Sequence, residues 1–521
     1  MPVANALESA ELAFQELRYW EDQQRLLESL GATTTPSGVG AREVTDRVTR
    51  ARRALGDQLA TVSAPATNPS DSSALQLMRE HLAEQVAAAN RDSSRAATSG
   101  VAPADSLASV VSAVLANYTR AANRIVVGRD TLNRLAILGR LSRIPNADER
   151  RALFLSLTPV WQSVNGVNNA SSPYRTLVRL RAKAWRDGSS PIEHKGREFG
   201  LRSTDVEQWL VQALEAWRSV TPDSLREPWD WYFDTGAASR RLSARAPAIA
   251  DIRRINDAFY TNLGASPAAL GIRFDLEARA GKYPIAFTDF GTRNRLLNGR
   301  WVTGQPWVFT SYLSGGFDNL AELLHETGHG VHIAAIRTRP AFVDWPDDDT
   351  FTEALADLAA LELYEPAWQQ RYLGDSVRLA ESLRAKYASI MMDMAWGLFE
   401  IRLHRDPTAD PNALWSEITA RYLRIRPHPE WSWWAMRGQL IESPGYLINY
   451  ALGSFLVADM REAVRTRWGS FTTADHSMYA HLSDALYRYG RERASGEVLA
   501  AMLGRAPSPD ALLRDLRRVL P

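Results

Sequence analysis

Apolar residues recur at helical spacing along most of the chain. Between Leu7 and Leu30, the residues Leu12, Phe14, Leu17, Trp20, Leu26, Leu27 and Leu30 alternate with Glu, Gln and Arg, and Gly31 follows as a stop. This pattern predicts an amphipathic helix. Similar stripes predict helices over about 41–60, 73–91, 105–125, 130–143, 147–158 and 204–219, parted by Ser/Thr/Pro/Gly stretches such as 61–73 and 93–106. The texture changes between Gly271 and Gly316. There Phe274–Ala278, Pro284–Thr288 and Trp307–Leu313 are rich in β-formers and are bounded by Gly281, Gly291, Gly299, Gly304 and Gly315-Gly316, so a small sheet is expected inside a helical protein. Helical periodicity resumes after Phe317 and continues to about Leu520, with breaks at 338–346, 406–411, 425–430 and 442–445. The expected fold is mainly α, divided into a helical N-terminal region over 1–250 and a second region over 251–521.

Composition narrows the chemistry. A chain of 521 residues with 61 basic and 60 acidic side chains has no field that would attract nucleic acid or an anionic membrane, and neither is expected as a partner. Cysteine is absent, which excludes disulfide frameworks, thiol nucleophiles, Cys-ligated zinc and iron–sulfur clusters. Any metal must therefore sit on His and carboxylates. The start Met1-Pro2-Val3-Ala4-Asn5 has neither a basic n-region nor an apolar h-region, and no run of 18 apolar residues occurs. A soluble chain without membrane insertion is expected, cytoplasmic or, if a signal peptide has been removed, exported.

Within Ala321–His332, His325 and His329 stand four residues apart in a helical context. That spacing places both imidazoles on one face, with about 5–6 Å between Cβ atoms, where they can share one tetrahedral zinc ion. Glu326 follows the first His and points toward the same cleft, at an angle suited to a water activated by the metal. A shuffled chain of this composition would carry the HExxH pattern only about 0.02 times, against the rival of a helix with two incidental histidines.

A catalytic zinc takes three protein ligands and keeps one position open. His332 shares part of the face of His329, but at a spacing that a third His ligand does not use, and is expected to be packed or to support the ligands from behind. Glu353 is the better candidate, with Thr350 as N-cap and Glu353 as N3 of a capping box as its metal-free alternative. Asp357 tips the balance toward the metal. It lies one helical turn beyond Glu353, where its carboxylate can accept the free ring N–H of a ligand histidine.

At these residues the sequence resembles the gluzincin metallopeptidases, specifically the oligoendopeptidase F and thimet oligopeptidase group, and more distantly angiotensin-converting enzyme. The resemblance covers about residues 271–460. Asp275–Lys282 is similar to the family's D-x-x-x-R-x-G-K segment, and Trp307–Leu313 with Ser314-Gly315-Gly316 resembles the strand and turn that lead into the zinc helix. In the family that strand is an edge that pairs with substrate backbone, which implies a substrate strand at Phe309, Thr310, Ser311 and Tyr312, with an ordinary core strand as the alternative. Gly445–Phe455 is similar to the tyrosine-rich stretch that reaches over the zinc, which implies Tyr450 and Tyr446 as donors to the oxyanion. One departure stands out: where the family carries a histidine nine or ten residues before the tyrosine, this chain has Leu440 and Ile441, and His428 or Arg437 are the candidate substitutes.

The resemblance implies a two-lobed helical body with a deep central channel, one zinc ion per chain, and hydrolysis of peptide bonds in oligopeptides with Glu326 as general base. Two other classes stay open: a zinc hydrolase of non-peptide amides or small modified amino acids, and a non-catalytic binding protein on the same fold.

Overall fold

Helices dominate, as the periodicity predicts. The computed structural model describes residues 3–62, 68–97, 106–279, 282, 285–473 and 475–520; Met1, Pro2, the linker residues 63–67 and 98–105, and the expected turn and strand residues Gly281 and Pro284 lie outside them. Helices run over Val3–Leu30, Ala41–Thr61, Pro69–Ala97, Leu107–Asn123 and Ser203–Ser219, close to their expected limits. The helix expected over 130–143 is shorter. Its first residues pair instead, Asp130–Leu132 running antiparallel to the β-branched Ile125–Val127, and the helix Arg134–Leu141 begins only after Asn133, whose side chain accepts from the Ala136 N–H.

The expected division near 250 does not separate two cores. One cluster of buried side chains extends from Val114 to Val519, while Ala6 to Met78 form a smaller cluster of their own with Ala341 and Phe342. Buried ion pairs clasp the first helix to the rest. Arg293 bonds Asp22 and, at 2.8 Å, Asp344, and Arg18 reaches Asp344 at 2.6 Å. Burial raises the pKa of the Asp344 carboxyl, but the two guanidinium groups outweigh it and hold it below the usual carboxylate range. The N-terminal helices are thereby tied to the residue that precedes Trp345.

Three short strands form the sheet beside the expected metal helix. Trp307–Tyr312 is central, parallel to Arg273–Glu277 on one side and antiparallel to Phe287–Asp289 on the other. This corrects the substrate-strand expectation for Phe309, Thr310, Ser311 and Tyr312. Phe309 faces Asp275 in one neighbour and Phe287 in the other, Tyr312 pairs with Glu277, and the Thr310 hydroxyl donates to the Leu276 carbonyl at 2.8 Å. Phe309, Thr310 and Tyr312 are buried. A β-rich run without internal Gly or Pro suits a central strand as well as an edge, and only the strand order tells them apart. The outer strand on the cleft side is Phe287–Asp289.

The chain leaves the sheet through Gly315-Gly316 and enters the helix Phe317–Ala335. The N–H groups of both glycines donate at 2.8 Å to Pro247 and Ala246 carbonyls, and a Cβ on Gly315 would lie 2.3 Å from the Ala246 oxygen. No larger residue fits this approach, which sets where the helix starts.

Candidate metal centre

His325 and His329 lie on the helix Phe317–Ala335, and Glu353 on the next helix, Asp349–Ala360. The two helices cross at Gly328, between the histidines. A Cβ at Gly328 would meet the Ala356 carbonyl oxygen at 2.4 Å, so the missing side chain permits the contact. Glu353, just before Ala356 in its helix, is thereby brought over both imidazoles. Its Oε2 lies 3.3 Å from His325 Nε2 and 3.7 Å from His329 Nε2. The three ligand atoms all lie within 4.8 Å of one another, and no other such cluster occurs among the described residues. Zinc bonds of about 2.0–2.2 Å in a tetrahedron put ligand atoms about 3.3–3.6 Å apart, so the donor set fits this ion.

Behind the trio, Asp357 Oδ1 accepts from His325 Nδ1–H at 2.7 Å, the position expected for a group that fixes the ring's orientation. Burial disfavours charge on His325, but the Asp357 and Glu353 carboxylates outweigh it and raise its pKa well above the usual range. Burial also raises the Glu353 pKa, and hydrogen bonds to the two imidazoles reverse that, leaving the carboxyl well below its ordinary value. His329 Nδ1 has no such partner among the described residues, and the edge of Trp345 stands 5.5 Å from its ring.

Two alternatives that the sequence leaves open in this layer are decided by packing. The helix of Glu353 is capped by Asp348, whose side chain accepts from the Phe351 N–H; Thr350 is fully buried and donates to Asn449 Oδ1 at 3.1 Å, so the Thr350–Glu353 capping box does not form. His332 is packed rather than bonded: it is fully buried between the Trp345 and Tyr487 rings, and both its nitrogens lack partners among the described residues. Burial, with the His329 charge second, pushes its pKa down to about 3, so it stays neutral.

The trio opens into a cavity lined on one side by Ile285–Thr288 and on the other by Gln439, Ser443, Tyr446 and Tyr450. Glu326 lines it too, and Thr288 of the outer strand donates its hydroxyl to Glu326 Oε2 at 2.7 Å. Tyr446 donates to Glu353 Oε1 at 3.2 Å, and its ring meets that of Tyr450 edge-on at 5.4 Å. Burial and then the nearby Glu353 carboxylate push both phenol pKa values up, so each hydroxyl keeps its proton.

The segment that departs from the family pattern is used structurally. Leu440 and Ile441 are fully buried, and both carbonyls accept from the Arg181 guanidinium. His428 lies elsewhere, between Glu227 and Glu430 and stacked on Trp431 at 4.0 Å, so it does not substitute for the missing histidine. Arg437 is beside Tyr450, 5.7 Å from its ring centre, and pairs with Asp393 at 3.3 Å. Sequence reasoning missed Thr288, Gly328 and Trp345. Only Gly328 left a trace, since a glycine inside a helix costs about 1 kcal/mol and suggests a close approach.

Solved structures share this backbone over its whole length. The M32 carboxypeptidase from Deinococcus radiodurans R1 matches with a TM-score of 0.61 at 15% identity, over 98% of each chain. Metallocarboxypeptidase 1 of Trypanosoma cruzi matches with 0.53 at 13% identity over 99% of each, and a provisionally assigned oligoendopeptidase F with 0.55 at 15% identity over 100% of this chain and 96% of that one. No protein-family model and no curated protein matches the sequence. At these identities the likeness is one of fold, and the fold is that of the helical metallopeptidases.

Proposed function

We propose that this chain is a zinc-dependent peptidase that cleaves oligopeptides, with His325, His329 and Glu353 as metal ligands and Glu326 as general base. The observation that carries the proposal is the meeting of two imidazoles and one carboxylate at zinc-ligand spacing, with a separate carboxylate and two phenols facing the same cavity. The fold it shares with metallopeptidases supports the reading. The outer strand Phe287–Asp289 supports a peptide as substrate, because a strand at the margin of a cleft can pair with an extended backbone.

A zinc ion held by His325, His329 and Glu353 would supply a Lewis acid able to acidify water and polarise the scissile carbonyl. The remaining work falls to side chains of this chain. Asp357 holds His325 Nδ1, which leaves Nε2 for the metal. Thr288 fixes the Glu326 carboxylate, which takes a proton from the attacking water and delivers it to the leaving nitrogen; without that proton the amine could not depart. Tyr450 keeps its proton and donates to the oxygen that gains negative charge, while Tyr446, whose hydroxyl donates to Glu353, could take its place only by leaving that carboxylate. Mass spectrometry of a mixed peptide library incubated with the zinc-loaded protein, with and without a chelator, tests the proposal. Chelator-sensitive cleavage products are expected, and an unchanged library with one zinc bound per chain would refute peptidase activity.

A further inference from the structure

The metal cavity does not end at the tyrosines. It shares Ile285, Gln439 and Glu442 with an adjoining cavity, which in turn shares Arg134 with a third, aromatic-walled one that also holds Arg437. Arg134 stands at this junction. The buried guanidinium groups of the core have partners: Arg18 has Glu21 and Asp344, Arg181 the carbonyls of Leu440 and Ile441, Arg293 Asp22 and Asp344, and Arg461 Glu362. Arg134 makes no hydrogen bond, ion pair or ring contact among the described residues.

No carboxylate among the described residues pairs with it, although Glu442 lines the same adjoining cavity. Burial lowers its pKa, the like charge of Arg437 lowers it further, and the counterweights are two phenols, Tyr118 and Tyr232. The Tyr118 hydroxyl donates to the Met436 carbonyl at 2.8 Å, and Arg134 makes no hydrogen bond to its oxygen. Of the two acids in the third cavity, Asp393 is held by Arg437 at 3.3 Å and Asp318 by the Ser239 hydroxyl at 2.6 Å. Arg134 is half-buried and faces the cavities, and a guanidinium presents a rigid fork of donors matched to a carboxylate. An anion that arrives with the substrate would find that fork unoccupied.

We infer that Arg134 is a carboxylate-recognition point of the peptide cleft, which takes a carboxylate of the substrate, terminal or on an Asp or Glu side chain, away from the scissile bond. This rests on the peptidase reading above. It makes cleavage selective for peptides that carry an anion at a set distance from the bond broken.

Binding separates the inference from the reading it rests on. Alanine-based pentapeptides with a free C-terminal carboxylate or a C-terminal amide, and a second pair with Asp or Asn inside the chain, are titrated by calorimetry into zinc-loaded Glu326→Gln, with and without Arg134→Gln. The anionic member of one pair is expected to bind about 10–100-fold more tightly than its neutral partner, and Arg134→Gln to abolish the difference. The pair that shows the difference identifies the source of the carboxylate. Arg134→Lys keeps the charge without the fork and is expected to retain part of the preference, and circular dichroism and zinc content on the same samples show that the variants are folded. Equal binding within both pairs, or a preference that survives Arg134→Gln, overturns the inference. Anion-selective binding by a wild-type protein that cleaves none of these peptides would sink the peptidase reading and leave the anchor standing.

Discussion

Glu353 and Glu362 are two carboxylates on successive helical elements, Asp349–Ala360 and Leu361–Tyr364, and both are held below the ordinary carboxylate range against the opposing effect of burial. Their partners differ. Glu353 faces the imidazoles of His325 and His329 at the mouth of a cavity, while Glu362 is sealed under Arg461 and Arg465 and accepts from Ser470 and Thr472. An imidazole gives up its proton near neutral pH and a guanidinium does not, so only the first cluster can exchange protons for a metal ion. A depressed carboxyl pKa marks a charge cluster; the chemistry of the partner decides whether that cluster is a site.

The largest effects should break this pair apart. Glu353→Ala is expected to lose its zinc and with it all turnover, because two ligands leave an incomplete site. Glu362→Ala should keep zinc but lose about 3–5 kcal/mol of stability, since Arg461 would stay buried without its carboxylate. Metal analysis and denaturant titration of both variants check the contrast, and zinc lost from Glu362→Ala but kept by Glu353→Ala would reverse it.

Next in size is Glu326→Gln. It should retain zinc and fold while turnover falls by up to about 10⁴-fold, since Gln cannot accept the proton of water. Wild-type-like turnover in the zinc-loaded variant would remove Glu326 from the reaction. Tyr450→Phe should lower kcat by about 10²–10³, or roughly 3–4 kcal/mol, with little change in zinc content. Tyr446→Phe shifts the comparison back to Glu353, whose Oε1 it bonds, and should also weaken zinc retention. Steady-state kinetics and zinc content on the same samples distinguish donors from core aromatics.

Acid titration sharpens the comparison at the Glu362 end. The folded-state pKa of Glu362 lies at about 2 against an ordinary 4.5, so its contribution is complete above about 4.5 and lost as pH falls through about 2. A shift of that size corresponds to about 3 kcal/mol, and the loss should be absent from the acid limb of Glu362→Gln in stability measurements. The smallest effect belongs to His332→Phe. Because His332 is packed and neutral, zinc content is expected to stay at one per chain, whereas a loss of metal would give that histidine a role beyond packing.

Legibility in the sequence follows the range of the interaction. The pairing of His325 with His329, and of Glu353 with Asp357, depends on the helical repeat alone, and the structure places each pair on one helix as the spacing predicts. The helical and β-rich segments were readable for the same reason. Features that need two distant segments were not. The order of three strands decides that Trp307–Tyr312 is central, and nothing within its own residues says so. Nor does anything near Leu440 and Ile441 announce that Arg181 holds their carbonyls where the family keeps a histidine.

The sequence by itself determined the elements, the local ligand spacing and the absence of thiol chemistry, because each depends on neighbours within a few turns of chain. Tertiary structure alone decided which edge lines the cleft, that Thr288 holds Glu326, and that Arg134 meets the channel without a partner. It also decided that Gly328 admits the Ala356 carbonyl and so brings Glu353 to the histidines. These outcomes depend on close packing between segments far apart in sequence, where the volume of a single Cβ sets how near two helices can come, and no local pattern encodes that distance.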